Sequence, residues 1–483
     1  MSKLTYAPYQ IPIDHSNPSA GTYKNRYFVD DDFYKPGSPV LVYDVGEASI
    51  TPAVVAQLTS SSYWQQLLQE FNGLGIIWEH RWYGNSKPVD VSVSFKMPAD
   101  QLKYLTVENA LADIPYFAKR FNRSNIDYDL RPSHTPWVMI GGSYAGARTA
   151  YTRQHYPDVI YAGYASSAPV QFQADFTSYL ESTWQGMLAV GLGGCAKDMH
   201  ATMAYIDTQL PQKNTAANLK QQFMGPQLAS NATITDFINL LFAVSSLFQQ
   251  QFSSGSMLGR FCAFMEEIPR TNITAGPNGF APTIGNTAIA QKWAETPQWA
   301  SLMTLTKIPL GVPYETVQPD QMLWNWLKCS QVGFFQAANS GPHSLLPSSQ
   351  SVQSLQQQCY TQFPEEFKKG YLQKTPAATN LVAKLGGWNI RPSNVFWTAG
   401  EFDPWSQFTP FSTADNAPHN VRISTDIPAC NSKRTLSELF GYQLKGAGHG
   451  FDLSSAGTGD EPKIAQGIFI NALREWLKCF VPR

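Results

Sequence analysis

The sequence predicts an α/β fold, a mostly parallel sheet flanked by helices and carrying a large helical insertion, and three observations lead there. Short apolar runs at residues 39–45, 74–78, 137–140 and 159–165 read as strands, and glycine-bounded runs without alternation suit a sheet covered on both faces. Helical spacing separates them, as in residues 99–121 with Leu102, Leu105, Leu111, Ile114 and Phe117. From about residue 172 to 375 the β-branched runs thin out, and long amphipathic patterns such as residues 233–252 replace them. The core is therefore expected in residues 1–172 and 376–483, and a helical cap in residues 173–375.

Taken in order, residues 9–28 alternate apolar and polar side chains around the turn-rich Asn17-Pro18-Ser19-Ala20-Gly21, the pattern of a β-hairpin. Asp14 and His15 are adjacent there, and successive strand residues face opposite sides, so a turn role is expected for them. The run at 39–45 stops at Gly46-Glu47-Ala48-Ser49, and the run at 74–78 closes on Glu79-His80-Arg81-Trp82-Tyr83-Gly84. The next strand ends in Gly141-Gly142-Ser143-Tyr144-Ala145-Gly146, and a small-residue helix continues to about His155. Another strand, 159–165, ends in Ser166-Ser167-Ala168-Pro169. Within the insertion, residues 272–286 are rich in Gly, Pro and Thr and are expected to be loop. Strands return at 394–398 and 442–444, and residues 462–480 form an amphipathic helix with Ile464, Ile468, Leu473 and Trp476 on its apolar face.

Composition narrows the function. Charged residues make up 15% of the 483 and the net charge is −1, which leaves no basic footprint for nucleic acid and no polybasic patch for a membrane. No apolar run reaches the about 18 residues of a membrane span. Six cysteines and N-x-[ST] sequons at Asn122, Asn231 and Asn272 suit an exported chain. Met1-Ser2-Lys3 opens without the apolar stretch of a signal peptide, and a leader removed or replaced reconciles the two. The histidines at 80, 134, 155, 200, 343 and 419 lack metal-site spacing and the cysteines form no C-x-x-C, so neither a metal nor another cofactor is expected.

Residues 136–146 carry the chemistry. A serine on a sharp strand-to-helix turn projects its hydroxyl and leaves backbone N–H groups free to bind an oxyanion. Ala145 stands where the strict G-x-S-x-G motif has its second glycine, so alone Ser143 reads equally as a turn serine. The later strands supply partners in the chain order of an α/β-hydrolase, serine then acid then histidine. Residues 395–399 run into Gly400-Glu401-Phe402-Asp403-Pro404-Trp405, and 442–444 into Gly446-Ala447-Gly448-His449-Gly450. Ser143 is then the nucleophile, His449 its base, and Asp403 the carboxylate that orients the imidazole and stabilises imidazolium. Glu401 is the rival acid, but Pro404 holds Asp403 extended and well aimed. The Tyr144 N–H is one oxyanion donor. Gly46-Glu47 supplies the second or is an ordinary strand-ending turn. Trp324 and Trp326, with Phe334 and Phe335, are either helical core or the wall of a substrate pocket.

Several stretches together resemble the proline-specific serine peptidases related to lysosomal Pro-X carboxypeptidase, among them dipeptidyl-peptidase II and fungal prolyl endoproteases. They are G-G-S-Y-A-G at 141–146, A-S-S-A-P-V at 165–170, E-H-R-W-Y-G-N-S at 79–86, D-P-W at 403–405, and D-H-x-N-P-x-x-G-T-Y-x-x-R-Y at 14–27. Gly46-Glu47 resembles the fungal branch most. The resemblance implies an α/β-hydrolase core with a helical cap inserted between nucleophile and acid. It implies cleavage of peptide or protein substrates after proline, often at acidic pH, in a secreted or lysosomal/vacuolar setting. It also implies that Trp405 lines the proline pocket, where its flat apolar face suits a pyrrolidine ring. A glutamate usually occupies the place of Gln331, so Gln331 is carried over as a pocket position without that charge. Ala147 stands where the mammalian carboxypeptidase has a methionine, which leaves more room. Cys329 and Cys359 have family-like spacing and are expected to pair. Cys195 with Cys262 and Cys430 with Cys479 follow from location alone, and other connectivities stay open. A monomer or homodimer is expected.

Three other functions stay open on sequence. One is a serine carboxypeptidase of the carboxypeptidase Y type, although Gly142 replaces the glutamate of its G-E-S-Y-A-G elbow. The others are an esterase or lipase, since fold does not fix substrate, and a catalytically inactive binding protein. Endopeptidase, carboxypeptidase or dipeptidyl-peptidase mode depends on how the cap closes the cleft.

Overall fold

A computed structural model describes residues 5–59, 62–88, 97–268, 273–305, 319–339, 341–432, 435–453 and 459–483. One nine-stranded sheet organises the chain. Its strands are β1 Thr5–Pro12, β2 Thr22–Asp30, β3 Val40–Asp44, β4 Leu74–Trp78, β5 Trp137–Gly142, β6 Ile160–Ser166, β7 Val395–Gly400, β8 Arg422–Ser424 and β9 Glu438–Leu444. The spatial order is β1-β2-β4-β3-β5-β6-β7-β9-β8. β2 pairs antiparallel with β1 and β4. The remaining neighbours are parallel. A mostly parallel sheet flanked by helices, with the hairpin at one edge, is the α/β-hydrolase architecture.

The apolar runs form strands because both of their faces are covered. Val40, Val42 and Met139 belong to one buried cluster, with Phe117 and Tyr151. The alternating Leu41, Val138 and Ile140 belong to a second, with Leu473 and Trp476. Period-two alternation thus serves two cores at once.

The expected helix over 99–121 is two. A short turn, Ala99–Leu102, is followed by α1, Val107–Ala118, because the Thr106 hydroxyl accepts the Asn109 N–H and starts the helix afresh. After β5 comes α2, Tyr144–His155. Between β6 and β7 the described chain is mainly helical, including α3, Ile234–Ser246, and α4, Pro319–Leu327. Thr233 and Asp236 close a reciprocal capping box at the start of α3.

Residues 272–286 are not simply loop. Asn272 lies outside the described residues, but Ile273–Thr274 is a short strand and Ala281–Ile284 a helical turn with Pro282 near its start, where a missing N–H costs nothing. The last helix, α5, spans Asp460–Leu477 and buries Ala465, Phe469, Leu473 and Trp476. Ile464 is 44% exposed, because the buried stripe follows steps of three and four from Ala465.

Disulfides join Cys195 to Cys262, Cys329 to Cys359 and Cys430 to Cys479, with Cα separations of 5.3, 5.6 and 6.3 Å, ordinary for such bridges. No helix among the described residues is long and apolar enough to cross a membrane. The sequons at Asn122 and Asn231 are exposed.

Candidate active site

Ser143 has φ 57° and ψ −131°, a conformation that non-glycine residues rarely adopt and that turns β5 sharply into α2. Its neighbours explain how the turn closes. A Cβ at Gly141 would lie 2.5 Å from the Ala145 carbonyl carbon, and one at Gly146 would lie 2.7 Å from the Ser166 carbonyl oxygen. Ala145 fits at the motif's second glycine because its methyl meets Gly46, where a Cβ would approach to 3.3 Å. The Ser143 N–H donates to the Ser166 carbonyl at 2.9 Å. Tyr144 opens α2, where the first N–H groups have no carbonyl partner within the helix.

Asp403 follows β7 and His449 follows β9. Nδ1 of His449 lies 2.9 Å from both carboxylate oxygens of Asp403, and both side chains are buried. Oδ1 of Asp403 also accepts the Trp405 N–H at 2.9 Å. Burial pulls the imidazole pKa down, but the charge and hydrogen bond of Asp403, with the charges of Glu47 and Asp452, leave it raised above the ordinary value. Glu401 is exposed and accepts the Gly446 N–H at 2.8 Å instead.

The loop bearing His449 is tied to the serine turn through consecutive residues of the chain. Ser166 accepts the Ser143 N–H, and the Ser167 hydroxyl accepts the Gly450 N–H at 2.9 Å. Beneath them Asp452, 2% exposed, accepts hydroxyls of Tyr164 at 2.5 Å, Ser166 at 2.6 Å and Thr398 at 2.5 Å. Sequence reading passed over Asp452; its signal was an acid three residues after His449, between Phe451 and Leu453.

The Gly46 N–H donates to Asp44 Oδ1 at 3.1 Å, and Asp44 is held by Arg148. That N–H is engaged, and the Glu47 N–H in turn meets its own carboxylate. The Glu47 carboxyl is pushed up to about 7 by burial, against the lowering effects of its own N–H and of His449.

Aromatic rings surround Trp405. Phe176, Phe334, Tyr179 and His449 have ring centroids 4.8, 5.2, 6.0 and 6.0 Å from it. Trp324 packs on Tyr144 at 5.6 Å, beside Ser143. Trp326, two residues on and hence across the helix, is core: it is 1% exposed, donates to the Leu105 carbonyl and meets Phe363 edge-on. Gln331 Oε1 accepts the Val107 N–H at 3.3 Å, at the start of α1. His80 is buried, its Nδ1 at 2.8 Å from the Arg81 carbonyl and its ring against Tyr83 and Tyr144; burial first, then Arg148, holds its pKa well below the ordinary value. His15 is more than a turn residue, since its Nε2 lies 2.7 Å from the buried Asp113. Among the described residues, no three His, Cys, Asp or Glu side chains gather as a metal would need.

An arrangement of serine turn, buried acid–imidazole pair and helix-opening N–H can transfer an acyl group from a leaving amine or alcohol to water. Comparison with known proteins agrees in kind. A family model described as "Serine carboxypeptidase S28" matches residues 12–425. "Serine protease vicPa" of Bipolaris victoriae (strain FI3) is 26% identical over 82% of this chain and 77% of its own length. "Probable extracellular serine carboxypeptidase" of Arthroderma benhamiae is 26% identical over 84% of this chain and 59% of its own length. "Thymus-specific serine protease" of Mus musculus is 24% identical over 97% of this chain and 86% of its own.

Proposed function

The chain belongs to the serine carboxypeptidase S28 family of serine peptidases, and on that premise we propose that it hydrolyses peptide bonds on the carboxyl side of proline through Ser143, His449 and Asp403. One observation carries the reading: a single carboxylate, Asp403, accepts hydrogen bonds from His449 Nδ1 and from the Trp405 N–H. The group that orients the base also fixes the backbone of a broad apolar ring beside it. A proline side chain has no N–H to satisfy, and packing on such a ring recognises it.

In this mechanism His449 Nε2 removes the Ser143 proton as Oγ attacks the carbonyl carbon of the proline residue. The Tyr144 N–H, with a second donor from the Gly46-Glu47 turn, receives the developing oxyanion. His449 then passes the proton to the departing amine, and water repeats the sequence on the acyl-enzyme. The described helices between residues 173 and 375 act as a cap over the cleft, with Trp324 from the cap and Trp405 from the core toward the substrate. The disulfides and the name of the Arthroderma relative support a secreted or lysosomal/vacuolar setting.

Digestion of an unbiased peptide library, with sequencing of both product ends, tests the specificity. Proline is expected on the acyl side of the cuts. A random residue there contradicts proline specificity and favours a broader carboxypeptidase, while hydrolysis of short acyl esters without peptide cleavage favours an esterase.

A further inference from the structure

Trp405 has a polar partner on the helical segment. Its indole N–H donates to Oε1 of Gln249 at 3.1 Å, and the same oxygen accepts the Tyr179 hydroxyl at 3.0 Å. An indole nitrogen only donates, so the atom facing it is the amide oxygen. Gln249 ends the 3₁₀ turn Leu247–Gln249 that follows α3. Its backbone carbonyl accepts the N–H of His449 at 2.7 Å. That carbonyl lies 2.3 Å from where a Cβ on Gly448 would sit, so the approach demands glycine before the histidine. Three residues on, Phe252 stacks on Phe451 with centroids 5.7 Å apart and planes 4° from parallel, and meets Phe402 edge-on. One short piece of the helical segment therefore grips both loops that carry the acid–base pair.

We propose that Gln249 is a positioning residue that sets which side chain is accepted on the acyl side of the cut. Its main-chain carbonyl holds the base, and its amide oxygen fixes the plane of the Trp405 ring beside that base. The inference rests on the reading that Trp405 lines the substrate pocket. Without the acceptor, two buried donors lose their partner, and the indole and the Tyr179 ring turn to find others. Selectivity is then lost while the chemistry at Ser143 remains, because every side-chain variant keeps the carbonyl that binds His449.

The test compares the full chain with Gln249→Met, nearly isosteric but without an acceptor, and Gln249→Glu, which keeps an acceptor oxygen. Each is assayed at its own optimum pH on fluorogenic peptides that differ only in the acyl-side residue. In parallel, a small fluorophosphonate that leaves the pocket empty reports reactivity of Ser143. For Gln249→Met the ratio of kcat/KM for the preferred residue over alanine is expected to fall about tenfold, mostly through KM, with phosphonylation within about threefold of the parent. Gln249→Glu is expected to keep the ratio within about threefold. In a Trp405→Phe background, Gln249→Met is expected to change the ratio no further. An unchanged ratio in Gln249→Met, equal losses in Met and Glu, phosphonylation falling in step with the ratio, or additive losses with Trp405→Phe each overturn the proposal. If Gln249→Met does not fold, Gln249→Asn, which withdraws the oxygen by one methylene, carries the same expectation. A parent that prefers a residue other than proline contradicts the proline reading alone, since the ratio is then taken for that residue.

Discussion

His449 Nδ1 stands 2.9 Å from each carboxylate oxygen of Asp403, with the acid fully buried and the imidazole nearly so. A carboxylate accepts only, so Nδ1 carries the proton and Nε2 is left as the basic nitrogen. Asp403→Asn is expected to lower kcat by about 10⁴-fold with the fold retained. Glu401→Gln is expected to leave kcat unchanged, because that carboxylate serves the Gly446 N–H. Steady-state kinetics on a proline anilide decide the matter, and equal losses would restore Glu401 as the acid.

The pH profile carries a sign. In the proposed mechanism catalysis needs neutral imidazole, and the His449 pKa is the outcome of burial, which lowers it, and of Asp403, Glu47 and Asp452, which raise it above the ordinary value. Glu47→Gln removes a charge that favours imidazolium. The acid limb of kcat/KM is therefore expected to move to lower pH in this variant. An unmoved limb, or one displaced upward, contradicts the coupling.

Stability rests partly on a buried pair away from the site. Asp113 accepts Arg81 Nε at 2.8 Å and Nη2 at 2.5 Å, and both side chains are fully buried. Burial raises the Asp113 pKa, but Arg81 and His15 outweigh it and hold it down at about 2. A carboxyl depressed on folding stabilises the native state above its unfolded pKa, and that contribution fades as pH falls from about 4 through about 2. Asp113→Asn is expected to cost about 3–5 kcal/mol near neutral pH, because Arg81 is left buried without a counter-charge. Urea unfolding measures it, and a cost below about 1 kcal/mol, the scale of an exposed pair, contradicts the assignment.

The Cys329–Cys359 bridge spans 30 residues, for which loop closure is worth about 3–4 kcal/mol. The double serine variant is expected to unfold at lower temperature and lower denaturant. An unchanged melting curve would mean that the bridge adds nothing to the native state.

What sequence revealed and what it hid divides along the range of the contacts involved. The glycine-bounded strands and the serine turn are local, so composition and periodicity marked them within a few residues. The order of Ser143, Asp403 and His449 was legible because each follows a strand of one parallel sheet, whose loops emerge at the same edge. Gln249 left no trace, since its partners Trp405 and His449 lie 156 and about 200 residues away and glutamines abound in that segment. Asp452 was marked only by its place three residues after His449, since its three hydroxyl donors lie far off in the chain on β6 and β7. On α5, Leu473 and Trp476 are buried as expected and only Ile464 is misplaced: Ile464 and Ala465 are neighbours, and hydrophobicity alone favoured the larger, which the helix exposes.

The most direct measurement is the mass of the enzyme quenched in acid during turnover of a proline peptide ester, followed by mapping of the modified fragment. An acyl adduct ending in proline, carried on Ser143, is the expected result. No adduct with the authentic substrate, an adduct on another residue, or equal acylation by esters of unrelated amino acids would contradict a proline-specific serine peptidase working through Ser143.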